Sequence, residues 1–106
     1  MTNKYFIELQ HLVNVTNKEF LKVNPQCKTQ VGLHKDMRKE GILADGVSID
    51  QLSTSKRISF QIFDQRPEVV VYTLGYSNGN SALQPKMVNC EDVTVSFIEE
   101  LMKAHF

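Results

Sequence analysis

The side chains of the chain that bind soft or borderline metals are His11, Cys27, His34, Cys90 and His105. Structural zinc takes four ligands, mostly in closely spaced pairs, and no CxxC, HxxxH or HExxH spacing occurs here. Cys27 and His34 alone could meet across a turn. The expectation is therefore no metal and no cofactor. Two cysteines without an export signal read as free thiols. Cys90 is expected at a helix start, where the dipole would favour thiolate. The competing and preferred reading is a small buried thiol beside a cap.

Nucleophilic and acid/base chemistry finds little more. Gly75-Tyr-Ser-Asn-Gly79 has the letters of GxSxG, but the nucleophile elbow needs a helix to open directly behind the serine, and the sequence offers a turn there. The glycines at 32, 41, 46, 75 and 79 make neither GxGxxG nor GxxxxGK[ST], so no phosphate loop is present. The acidic pairs Glu91/Asp92 and Glu99/Glu100 are sequence neighbours, which do not face each other on a helix. The first pair complements a helix dipole and the second fits a solvated face. No catalytic residue is assigned, and the chain is read as non-enzymatic.

The basic residues support an alternative. Lys35, Arg38 and Lys39 share one face of an expected helix by i, i+3 and i+4 spacing. A basic helix followed by a β-hairpin is the element order of a winged-helix nucleic-acid binder, with Lys35, Arg38, Lys39, Lys56 and Arg57 as phosphate contacts. Asp36 and Glu40 dilute that patch, and the hairpin is too apolar for a solvent-exposed wing. The 12 basic and 12 acidic residues also cancel, so no global field draws a polyanion or an anionic membrane surface. The segment 58–106 carries Arg66, Lys86 and Lys103 against Asp64, Glu68, Glu91, Asp92, Glu99 and Glu100. The two halves therefore differ in sign, which suits self-association or a charged protein partner.

The element around which these residues must be arranged runs from Ile58 to Tyr76. Two β-rich runs flank a polar Asp64–Glu68 loop, which signals an antiparallel hairpin. Placing Phe63 opposite Val69 sets Phe60 against Tyr72 and Ile58 against Leu74. One face is then wholly apolar, while the other holds Phe63/Val69, Gln61/Val71 and Ser59/Thr73. A slip of one residue would mix the two sets. Such a hairpin needs a cover.

The cover is expected from helices. In residues 3–23, Phe6, Leu9 and Val13 fit a helical stripe while Ile7, Leu9, Val13 and Val15 fit strand alternation equally well; helix is the preferred reading, with Thr16-Asn-Lys-Glu19 as a capping box opening a second short helix and Asn24-Pro25 ending it. Lys28 to Glu40 reads as a surface helix capped by Gly41. Residues 42–57 read as mixed, with a turn at Asp45-Gly46, one helical turn at 48–52 and a Ser53-Thr-Ser55 linker. Ser77-Asn-Gly-Asn-Ser81 reads as a turn. Ala82 to Asn89 is a candidate third strand, which Pro85 confines to an edge. The last helix is expected over about 90–104 with Asn89 as N-cap. Its apolar residues spread over an arc much wider than a one-sided surface helix needs. It should therefore cover the hairpin and touch a second body, either the N-terminal helix or a partner subunit.

These readings give a single α+β domain over residues 1–106. It has a helical N-terminal half, an antiparallel two- or three-stranded sheet centred on 58–76, and a closing C-terminal helix. No apolar run approaches a membrane span and the start lacks a signal-peptide core, so the expected address is cytoplasmic. The expected function is a small protein-binding or regulatory module, self-associating as a homodimer through Phe63, Val69, Val71, Val95 and Met102. Besides the winged-helix alternative, a small-ligand pocket lined by Tyr72, Tyr76 and Phe97, with a polar group inside, is the third reading.

Overall fold

The computed structural model describes residues 4–34, 36–77 and 84–106. Helix α1 (Lys4–Val23) buries Phe6, Leu9, Val13, Thr16 and Phe20, a stripe at spacings of three and four. It is one helix. Thr16 does not open a second one: it is buried in mid-helix, where its hydroxyl donates to the Leu12 carbonyl. Asn24 closes the helix, its backbone and side-chain amides both donating to the Phe20 carbonyl, and Pro25 follows.

Five strands then form one antiparallel sheet in chain order: β1 (Thr29–His34), β2 (Ala44–Gln51), β3 (Lys56–Phe63), β4 (Val69–Tyr76) and β5 (Lys86–Asn89). The central register is the one read from the hydrophobic pattern, with Ile58 opposite Leu74, Phe60 opposite Tyr72 and Gln61 opposite Val71. The expected two or three strands are thus too few. The helix expected over 28–40 is strand β1 followed by the four-residue helix α2 (Asp36–Lys39). Thr29, Val31 and Leu33 alternate toward the side that α1 covers, a period of two that outweighs the helix-tolerant residues around it.

The second correction is β2. Asp45-Gly46 is not a turn and residues 48–52 are not helical. Val47 and Ile49 are wholly buried on the helix side of the sheet, paired with Phe60 and Ile58. Gly46 lets Met37 lie against the strand: a Cβ there would come within 3.0 Å of the Met37 methyl group, which would have to shift. Of the strand expected over Ala82 to Asn89, Lys86–Asn89 form β5 at the sheet edge, Pro85 lies just before it, and residues 82–83 fall outside the described residues. The turn read at Ser77–Ser81 falls mostly outside the described residues.

The third correction is the start of the last helix. Residues Cys90–Asp92 make a single 3₁₀ turn, Asn89 makes no side-chain cap, and α3 (Val95–His105) begins after Thr94. The Thr94 hydroxyl accepts the Phe97 N–H at 3.1 Å. The wide apolar arc of α3 serves two contacts. Ile98 and Met102 are fully buried, while Phe106 meets Phe20 of α1 with ring centroids 6.4 Å apart. The second body touched by the C-terminal helix is therefore the N-terminal one. Both long helices lie on one face of the sheet, over Val47, Ile49, Ile58, Phe60, Ile62 and Val70. No helix among the described residues is long and apolar enough to cross a membrane.

Candidate binding surface

The other face of the sheet carries no long helix. Register alone places a row across it: His34 on β1, Gly46 on β2, Gln61 on β3, Val71 on β4 and Met87 on β5. The ends of this row differ in chemistry.

The β1–β3 end is polar and internally paired. The His34 Nε2 and Ser48 Oγ lie 2.6 Å apart. Arg57 grips Asp50 through two bonds of 2.6 and 3.0 Å. Helix α2 leans over this end, and the Met37 sulfur lies 3.6 Å from the Gln61 amide nitrogen. Arg38 forks between Asp45 and Asp64 with four bonds of 2.8–3.0 Å. The Asp45 and Asp64 carboxylates raise the Arg38 pKa, and Arg38 in turn holds Asp64 below the usual carboxylate value. A hollow of about 220 Å³ remains between α2 and the sheet, bordered by His34, Glu40, Arg57 and Gln61.

The β4–β5 end is greasy. Phe63, Val69, Val71 and Met87 border a hollow of about 280 Å³ that Gln65 and Arg66 rim. Val69 is buried and forms the floor. Phe63 is 37 % and Met87 67 % exposed. No helix among the described residues covers either of them. Arg66, facing Glu68 at 3.9 Å, stays largely solvated.

The expected interface residues therefore separate into groups. Phe63, Val69 and Val71 come together. Val95 lies on α3, across the sheet, and Met102 is fully buried in the core, where it cannot reach a partner. Met87 was missed. It became visible only once β5 was registered against β4 with Met87 opposite Val71.

The phosphate-contact set is similarly dispersed. Lys35 lies outside the described residues. Arg38 and Arg57 are bonded to aspartates, and Lys39 lies 3.8 Å from Asp36. Lys56 is half-buried at the start of β3. The helix expected to present these residues has only four residues. The ligand-pocket set is packed on itself: Tyr72 meets Phe97 edge to face at 5.4 Å, and Tyr76 meets His105 at 6.2 Å.

Ser48 and Ser77 are each hydrogen-bonded within the fold. Ser48 has no exposed surface, so a substrate carbonyl cannot reach the oxygen that His34 faces. Ser77 of the GxSxG-like stretch donates its hydroxyl to the Ser55 carbonyl. Cys27 and Cys90 are free. Burial, then Glu68 and Glu8, push the Cys90 thiol up, against the lowered value a helix start would give. Among the described residues no group of three or more His, Cys, Asp or Glu side chains converges as metal ligands. No family model, curated protein or solved structure matches the chain.

Proposed function

We propose that the protein is a non-enzymatic binding module that docks a hydrophobic segment of a protein partner against Phe63, Val69, Val71 and Met87. The observation that carries this reading is the apolar hollow on the helix-free side of the sheet, with an aromatic ring and a methionine left in water. A flexible thioether beside an aromatic ring adapts to varied apolar side chains. Arg66 at the rim favours an acidic residue next to the docked segment. Aspartates already pair with Arg38 and Arg57, which weighs against phosphate recognition.

The test is a peptide-display selection on the folded protein, repeated on Met87→Asp. Apolar peptides that lose at least about tenfold in affinity on the variant, or roughly 1.4 kcal/mol, support the reading. Peptides that bind both proteins equally well place recognition elsewhere and reject it, as does a selection that enriches nothing.

A further inference from the structure

The two edges of the sheet are built differently. Edge strand β5 has four residues, follows Pro85 and begins with Lys86. Shortness, proline and lysine are the features that keep an edge from pairing with another chain. Edge strand β1 has none of them within its length, with Lys28 and Lys35 standing only in the flanking positions. Its six residues, Thr29-Gln-Val-Gly-Leu-His34, hold no lysine, no acidic residue and no proline. Helix α2 directs Met37 inward, over Gly46 on β2 and Gln61 on β3.

The outward backbone groups of β1 can be assigned. Leu52 donates its N–H to the Lys28 carbonyl at 2.8 Å, which makes Lys28 part of a bonded pair. By alternation Gln30, Gly32 and His34 turn their backbone groups toward β2, while Thr29, Val31 and Leu33 turn theirs outward. Leu33 at one end of the strand is 52 % exposed, and Leu52 beside the other end is 56 % exposed.

We infer that β1 pairs antiparallel with β1 of a second copy about a two-fold axis, joining the two sheets into one. The occupant is a second copy because β1 is its own complement. With Val31 opposite the second copy's Val31, Thr29 falls opposite the second copy's Leu33. Each of these pairs exchanges two outward backbone bonds. All three pairs lie on the helix-covered side, as a continuous sheet requires, and no like charges oppose each other. The chain's formal net charge of zero adds no long-range repulsion between copies. One strand pair buries less than the roughly 1,000 Å² of a stable interface, so the dimer is weak and concentration-dependent. Because β1 and β5 are opposite edges, dimerisation leaves the Met87 hollow free on each copy.

Light scattering and amide exchange test this. At high micromolar concentration the mass should be twice the 12.1 kDa of the chain, falling to the single-chain value on dilution. Leu33→Pro deletes an outward N–H and no bond to β2. It should be monomeric at every concentration with a circular-dichroism spectrum like wild type. Leu33→Lys, which adds a gatekeeping charge, should behave the same way and serves if the proline variant fails to fold. In the wild type, the Val31 and Leu33 amides should gain protection as concentration rises. A monomeric wild type overturns the inference. So does a dimer that both folded Leu33 variants leave intact, or protection of these amides that ignores concentration. A dimer broken by Met87→Asp instead would move the contact to the β4–β5 hollow, also overturning it.

Discussion

Consecutive residues of β3 face two different environments. Ile58, Phe60 and Ile62 point under the helices and are essentially inaccessible, whereas Arg57, Ser59, Gln61 and Phe63 point to the open side and are only partly covered. The difference separates what holds the fold from what is free to make contacts. Each large apolar side chain buried under the helices contributes about 1.5–3 kcal/mol, whereas on the open side of β3 Arg57, Ser59, Gln61 and Phe63 all keep contact with water. Phe60 and Gln61 are therefore the sharpest test of the comparison. Phe60→Ala should cost about 3–5 kcal/mol in urea unfolding, a large part of the whole stability of an ordinary domain. Gln61→Ala removes a long contact to the Met37 sulfur and should cost less than about 1 kcal/mol. Equal costs would break the division of labour between the faces.

The open side is itself divided. At its polar end, Arg57 and Asp50 are about one quarter exposed and bonded at two points, with the Arg57 pKa raised chiefly by its bonds to Asp50. Arg57→Ala strands a largely covered carboxylate and should cost about 1–2 kcal/mol. Arg57→Lys keeps the charge but cannot make the paired bonds, so it should recover only part of that loss. At the greasy end, Met87→Asp touches no bonded network and should shift stability by about 0.5 kcal/mol or less. If instead the Met87 change is the more destabilising, the hollow is part of the core rather than a contact surface.

How much of this was legible in the sequence follows from the same alternation. The hairpin was readable because its two faces differ so strongly that a one-residue slip would have buried Gln61 and Ser59. Helix α1 is only partly legible: Phe6, Leu9 and Val13 make a helical stripe, but Ile7, Leu9, Val13 and Val15 also alternate, and Thr16 copies a cap in mid-helix. Strands β1 and β2 were not readable, because each offers only two apolar inward residues, Val31 and Leu33 or Val47 and Ile49, and Asp45-Gly46 copies the letters of a turn. Gly46 is a strand residue because it pairs with His34 on β1 and Gln61 on β3, contacts that the local letters do not show. The start of α3 was misplaced for a related reason. Asn89 followed by two acidic residues satisfies local capping rules, but β4 takes Asn89 as a strand partner of Val69, and Thr94 is left to cap. The site was half visible. Phe63, Val69 and Val71 followed from the hairpin, whereas Met87 required the fifth strand, and Met102 was assigned outward because the wide arc of α3 did not show which side α1 would take.

The smallest effect concerns the clamp that ties α2 to the sheet. Arg38 joins Asp45 at the start of β2 to Asp64 just beyond β3, so it tethers the short helix to both strands. Hydrogen bonding to Arg38 lowers the Asp64 pKa below its ordinary 3.8. A carboxylate whose folded pKa is depressed stabilises the protein above its unfolded value, and that contribution fades as pH falls through the folded value. The window therefore opens near pH 3.8 and extends downward. Both partners are solvated, so the effect is small and salt-sensitive. Asp64→Asn should leave the urea midpoint near neutrality almost unchanged and make its decline below pH 3.8 shallower than in the wild type. Parallel acid declines in the two proteins would assign the tether to Asp45 alone, and α2 would then hang from β2 rather than bridge the ends of β2 and β3.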